Sequence, residues 1–178
     1  MTAPSDYSKD DWDTLASAGS LVGHAVLIST RDVPRRVRKR HRALERAFRE
    51  AGARYPENMV IQSVIADTEE RSRREDSVRR LRRAGDDYRK EVLETCRRVS
   101  DVLDRRASPA ESAEFKRWLL DIGEMVASAV PTEEFLGIGE GVFSRDDLAT
   151  LQEVAAALNM PDYRGPKVVG GQGVPGGR

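Results

Sequence analysis

The sequence is poor in the residues that form most catalytic and metal sites. Its 178 residues include one cysteine and two histidines, and aromatic residues make up only 6% of the chain. The single thiol, Cys96, excludes a disulfide within the chain and fits a reducing compartment. No glutamate lies three residues before His24 or His41, so the Glu-x-x-His pairs of a di-iron bundle are missing. We therefore predict no catalytic residue, metal ligand, cofactor or small-molecule substrate, and lean away from an enzyme.

The sequence also lacks a signal peptide pattern, a convincing membrane span and a net charge. The first 13 residues carry four acids and one lysine, the wrong sign for the start of a signal peptide. Residues 14–30 carry no charge except a possible one on His24, but they are diluted by polar residues, which favours a buried helix. We expect a cytoplasmic protein. Because 30 basic residues balance 30 acidic ones, any binding of a polyanion has to be local.

The charges are sorted into blocks along the chain. Residues 31–50 carry nine Arg or Lys against three acids, and residues 71–90 carry nine against four. Residues 111–150 reverse the sign, with three basic residues against nine acidic ones. A folded chain with such blocks has opposed basic and acidic faces, which meet charged partners or each other.

The spacing of the apolar residues predicts an all-α fold. We expect a single bundle of five or six helices over residues 8–160, with one long central helix along residues 78–102. Residues 1–7 are predicted to be a flexible lead-in. Residues 161–178, rich in glycine and proline, are predicted to be a disordered tail because they cannot bury enough apolar surface.

Capping residues and prolines predict where the helices begin. The predicted starts are Ser8, Pro34, Pro56, Ser108 and Ser144. The first helix carries Gly19-x-x-x-Gly23, a spacing that lets a neighbouring helix come close. The predicted core consists of the helix over residues 12–28 together with Trp118, Leu119, Ile122, Val126, Phe135 and Leu151.

The second helix, predicted over residues 34–51, has the densest cluster of positive charge. At 100° per residue, one face collects six cations opposite an apolar stripe: Arg35, Arg38, Lys39, Arg42, Arg46 and Arg49. This face predicts binding of a protein partner or self-association, together with the acidic C-terminal region. Sequence-nonspecific nucleic acid binding is the alternative, although no interleaved aromatic residue offers a base a stacking surface. Pairing with residues 111–147 of the same chain stays open, and an anionic membrane is less favoured.

Three segments near the C-terminal end resemble a known family. Residues 114–122 (EFKRWLLDI), 135–139 (FLGIG) and 144–151 (SRDDLATL) resemble a family of small uncharacterised bacterial all-helical proteins, which have an FK-x-W-L-L helix, a GFLGFGG loop and a VSEAE…AL helix in that order. Residues 141–147 (GVFSRDD) are similar to a turn of tellurite-resistance-type helical domains, although the second copy of that turn is missing. The resemblance implies a helical fold and supplies no site residues.

Overall fold

The protein is an all-helical bundle. The computed structural model describes residues 4–29, 34–74, 86–130 and 143–165. Within these ranges the chain forms a short 3-10 turn, six α-helices and no strand, which confirms the predicted fold class. The helices are α1 (Lys9–Ile28), α2 (Pro34–Gly52), α3 (Met59–Arg74), α4 (Asp86–Arg106), α5 (Pro109–Ser128) and α6 (Arg145–Ala157).

Serine caps begin three of the helices where the sequence predicts them. Ser8, Ser108 and Ser144 have extended backbones, and each hydroxyl accepts a hydrogen bond from the backbone N–H three residues further on. The Glu111 side chain also accepts from the Ser108 backbone, which completes a capping box. These bonds satisfy N–H groups that a helix leaves without partners at its start.

A proline and an asparagine set the starts of α2 and α3. Helix α2 begins at Pro34, as predicted, and ends at Gly52, one residue beyond the predicted range. The predicted start at Pro56 is wrong by three residues. The Asn58 side-chain oxygen accepts a hydrogen bond from the Ile61 N–H at 3.2 Å, so the asparagine caps α3 and Pro56 lies in the preceding turn.

The long predicted helix corresponds to α4, which is 21 residues long, while residues 75–85 lie outside the described ranges. Its apolar seam is buried at Val92, Cys96, Val99 and Val102. Burial raises the pKa of the Cys96 thiol to about 12, so the thiol stays protonated and unreactive.

Helices α1 and α5 lie at the centre of the bundle, and each contacts all the other helices. The predicted core residues Trp118, Leu119, Ile122, Val126 and Leu151 are fully buried, whereas Phe135 lies outside the described ranges.

The two glycines of α1 let α2 approach closely. A Cβ added at Gly19 would lie 2.8 Å from the Phe48 ring, and one at Gly23 would lie 2.1 Å from Leu44 Cδ1. Both distances are too short for real carbon contacts. The close approach predicted from the glycine spacing is therefore made by α2, and Ile122 of α5 is the next nearest, 3.2 Å from a Cβ at Gly19.

The folded part extends beyond both predicted boundaries. Tyr7, placed in the predicted lead-in, is buried with its ring centroid 6.0 Å from that of Trp12. Tyr163, placed in the predicted tail, is also buried and donates a hydrogen bond to Glu124 at 3.0 Å. Single aromatic residues thus anchor both ends, and residues 166–178 lie outside the described ranges. No helix in those ranges combines the length and apolarity needed to cross a bilayer.

Candidate interaction surface

The six predicted cations lie on the solvent-facing side of α2, and all of them are exposed: Arg35, Arg38, Lys39, Arg42, Arg46 and Arg49. The opposite side of the helix buries Leu44, Ala47, Phe48 and Ala51, which belong to the apolar core. Burial of that side turns the cations outward. Over the ranges that the structure describes, none of the six side chains makes a hydrogen bond or an ion pair.

The six cations, which we call the basic face, form a narrow stripe along the helix. Arg35, Arg42 and Arg49 recur every seven residues, and Lys39 and Arg46 repeat the same interval beside them. At a rise of 1.5 Å per residue the stripe is about 21 Å long. Exposed carboxylates of α2, Glu45 and Glu50, flank the stripe.

Arg40 belongs to the same basic run but points into the protein. Its guanidinium donates two hydrogen bonds to the two carboxylate oxygens of Asp147, at 2.7 and 2.8 Å, and one to the Val26 carbonyl at 2.8 Å. The Ser29 hydroxyl donates to Asp147 at 2.6 Å. Side-chain exposure is 1% for Arg40 and 0% for Asp147. This buried pair ties the end of α1 and the middle of α2 to the start of α6.

The Arg40–Asp147 pair bears on the prediction that basic residues of α2 pair with residues 111–147 of the same chain. Pairing between the basic run and residues 111–147 does occur, but Arg40, which is not one of the six cations of the basic face, makes it. The sequence carries a signal for this placement, because on a helical wheel Arg40 falls among Leu44, Ala47 and Ala51 rather than among the other cations. A charge on an apolar face requires a buried partner.

The environment of Asp147 predicts a specific dependence of stability on pH. Burial alone would raise the pKa of Asp147, but the hydrogen bonds from Arg40 and Ser29 outweigh burial and hold it below its ordinary value of 3.8. A carboxylate with a lowered folded-state pKa stabilises the fold above its unfolded-state pKa and loses that contribution as the pH falls through the folded-state value. We expect the free energy of unfolding of the wild type to exceed that of Asp147→Asn at neutral pH, and this difference, the stability gap, to narrow as the pH falls below about 3.8. Urea unfolding followed by circular dichroism at several pH values measures this gap; a gap that widens on acidification would contradict the assignment.

Many of the carboxylates in the acidic C-terminal region are used inside the molecule. Asp121 is buried, and it accepts hydrogen bonds from Arg117 at 2.8 Å and from Tyr55 at 3.0 Å. Arg117 also donates to Glu124 at 2.7 Å. Burial, followed by the charge of Asp121, raises the pKa of Tyr55 to about 12, so this tyrosine remains a hydrogen-bond donor at neutral pH.

Three further acids of this region lie within the described residues. Glu111 belongs to the capping box of α5, and Glu114 accepts a hydrogen bond from Asn58 at 2.9 Å. Asp146 is exposed in the first turn of α6. Glu133, Glu134 and Glu140 lie outside the described residues. Among the described groups, the basic face is therefore a clearer docking surface than the acidic region.

The two histidines lie close together across α1 and α2. Their ring centroids are 6.4 Å apart, and His24 Nδ1 lies 2.7 Å from the Ser20 carbonyl oxygen. His41 Nδ1 lies 3.4 Å from a carboxylate oxygen of Glu45, an acid four residues further along α2. Within the part of the chain that the structure describes, no group of three or more potential ligands could hold a metal ion.

Comparisons of the chain with protein-family models, curated proteins and solved structures find no match. The resemblance of residues 114–151 to the helical family therefore stays a prediction.

Proposed function

We propose that this protein is a non-catalytic binding protein that docks an acidic protein partner on the basic face of α2. One observation carries this proposal: all six cations are exposed and make no ion pair with any described residue. The apolar side of α2 is fixed in the core by Leu44 and Phe48. The bundle therefore holds the backbone of α2 in place beneath the stripe, which lowers the entropic cost of binding a partner.

The shape and surroundings of the stripe favour a helical protein partner. Cations that recur every seven residues match carboxylates at the same interval on a second helix, as in the flanking charge pairs of coiled coils. Five of the six cations are arginines, whose planar groups bind carboxylates through two hydrogen bonds. Glu45 and Glu50 beside the stripe would repel a uniform polyanion but can pair with basic residues of a protein.

Charge reversal in the middle of the basic face is expected to weaken binding by about tenfold or more, since it replaces attractive contacts with repulsive ones. The variant Lys39→Glu/Arg42→Glu/Arg46→Glu is compared with Lys90→Glu/Arg97→Glu/Arg106→Glu, which makes the same charge change on exposed residues of α4. Fluorescence anisotropy measures the affinity for a designed helical peptide with glutamate at seven-residue intervals. The α2 variant should instead bind the matching lysine peptide, and the α4 variant should behave like the wild type.

Several outcomes would oppose the proposal. Equal loss of affinity in the α2 and α4 variants would show that net charge, not the basic face, governs binding. Absence of glutamate-peptide binding by the wild type at low salt would remove the proposed function altogether.

Sedimentation of the wild type and both variants tests self-association: a wild-type assembly that only the α2 variant loses would identify a second copy as the partner.

Sequence-nonspecific nucleic acid binding is the second candidate, and the composition of the face favours it. The stripe contains no apolar or aromatic anchor, whereas protein interfaces usually have an apolar centre. A stripe of six cations could contact a phosphate backbone with a log–log salt slope of up to about −5. Titration of a DNA duplex at several salt concentrations separates the candidates, because duplex affinity above glutamate-peptide affinity would favour this one.

We further propose a cytoplasmic location. The single thiol, Cys96, is buried and free of any disulfide, which fits a reducing compartment. Cell fractionation tests this location, and recovery of the protein in a secreted fraction would contradict it.

A further inference from the structure

A cavity of about 340 Å³ lies where the end of α4, the start of α5 and the residues after α6 meet. No residue of α2, and so none of the basic face, lines it. This volume is at the lower end of the range for small-ligand sites. The lining residues are Asp104, Ala107, Pro109, Ser112, Ala113, Lys116, Asn159 and Met160. Four of the eight lining residues are thus apolar, and the other four carry hydrogen-bonding side chains.

An ion pair of unequal exposure forms the polar part of the cavity. Lys116 Nζ donates to Asp104 Oδ1 at 2.9 Å, and the Ser112 hydroxyl donates to the same oxygen at 3.1 Å. The Lys116 side chain is only 9% exposed, whereas that of Asp104 is 51% exposed. The hydrogen bond from Lys116, the largest influence, holds the pKa of Asp104 below its ordinary value, so the Asp104 carboxylate is charged at neutral pH.

The pair keeps unused hydrogen-bonding capacity at the cavity. An ammonium group has three N–H donors, and Asp104 is the acceptor that the described residues provide for Lys116. The second carboxylate oxygen of Asp104 has only a long contact, 3.4 Å from the Ser100 hydroxyl. Asn159 adds a side-chain amide to the lining; it takes a left-handed φ of 59° at the end of α6, which asparagine tolerates. One cavity therefore presents a donor cation beside an acceptor anion.

We propose that this cavity binds a small zwitterion of the free α-amino acid class. The carboxylate of the ligand accepts hydrogen bonds from Lys116 and from the Asn159 amide, and its ammonium group donates to Asp104. The apolar lining, Ala107, Pro109, Ala113 and Met160, receives the side chain of the ligand. The ion pair stays intact, because the ligand lies across it and uses its remaining donors and acceptors. This proposal does not depend on the function proposed for the basic face.

Titration of the full chain with free amino acids tests the zwitterion site. The probes are the common L-α-amino acids, each assayed by isothermal titration calorimetry and by the shift in melting temperature. The matched controls are the N-acetyl and α-amide derivatives of any amino acid that binds, since each derivative removes one of the two charges. We expect saturable binding of at least one amino acid, and about tenfold weaker binding, or more, for each derivative.

Variants of the lining separate the site from general charge effects. Lys116→Met and Asp104→Asn should each weaken binding about tenfold or more, and Ala113→Leu should block it by filling the apolar side. Lys90→Met makes the same change as Lys116→Met at an exposed position of α4 and should bind normally. If a lining variant fails to fold, the N-acetyl and α-amide derivatives still test the site, because they are titrated against the wild-type protein. Absence of binding by every amino acid, or equal binding of the derivatives, would overturn the proposal.

Discussion

Replacing Arg40 with methionine is expected to lower the free energy of unfolding by about 3–5 kcal/mol, because it leaves the buried carboxylate of Asp147 without its cation. Asp147 is fully buried, so water cannot take over the two hydrogen bonds that Arg40 donates. Urea unfolding followed by circular dichroism measures the loss. Arg42→Met, which makes the same change two residues away at an exposed position, should alter stability by no more than about 0.5 kcal/mol.

A double variant distinguishes the ion pair from general packing at this site. Arg40→Met/Asp147→Leu removes both charges and keeps comparable side-chain volume, so it should recover most of the stability that Arg40→Met loses. If Arg40→Met were no more destabilising than Arg42→Met, the buried pair would not be present in solution. If the double variant lost as much free energy of unfolding as Arg40→Met and Asp147→Leu lose together, the two side chains would not be coupled.

The bundle could be predicted from the sequence because its signals are local. A capping serine acts within three residues, as Ser8, Ser108 and Ser144 show, and helical periodicity repeats within a few turns. The exposure of the basic face follows from the same periodicity, because Leu44 and Phe48 on the opposite side have to face the core. The start of α3 was missed because both Pro56 and Asn58 are helix-start signals, and only the chain geometry decides between them.

The internal pairings could not be predicted because they join residues far apart in the chain. Arg40 and Asp147 are 107 residues apart, and Tyr55 and Asp121 are 66 apart. A helical wheel can show that Arg40 needs a partner, but nine acids between residues 111 and 150 are candidates for that role. The cavity beside Lys116 was missed for the same reason, since three separate segments of the chain line it.

Replacing Trp118 with alanine is expected to lower the free energy of unfolding by about 3–5 kcal/mol, because it opens a large cavity in the core. Trp118 is fully buried on α5, with ring centroids 5.8 Å from Phe48 on α2 and 5.2 Å from Phe115. Urea unfolding measures this loss. Within the described part of the chain the indole N–H has no hydrogen-bond partner, so Trp118→Phe loses no such bond and should cost clearly less.

The Trp118 variants also connect the core to the basic face. Because Trp118 packs against Phe48, it helps to hold the apolar side of α2 in the bundle and its cations in water. We expect Trp118→Phe to keep the wild-type affinity for the glutamate peptide wherever the protein remains folded. A loss of affinity in folded Trp118→Phe as large as that caused by charge reversal would mean that binding depends on the core packing of α5 rather than on the basic face of α2.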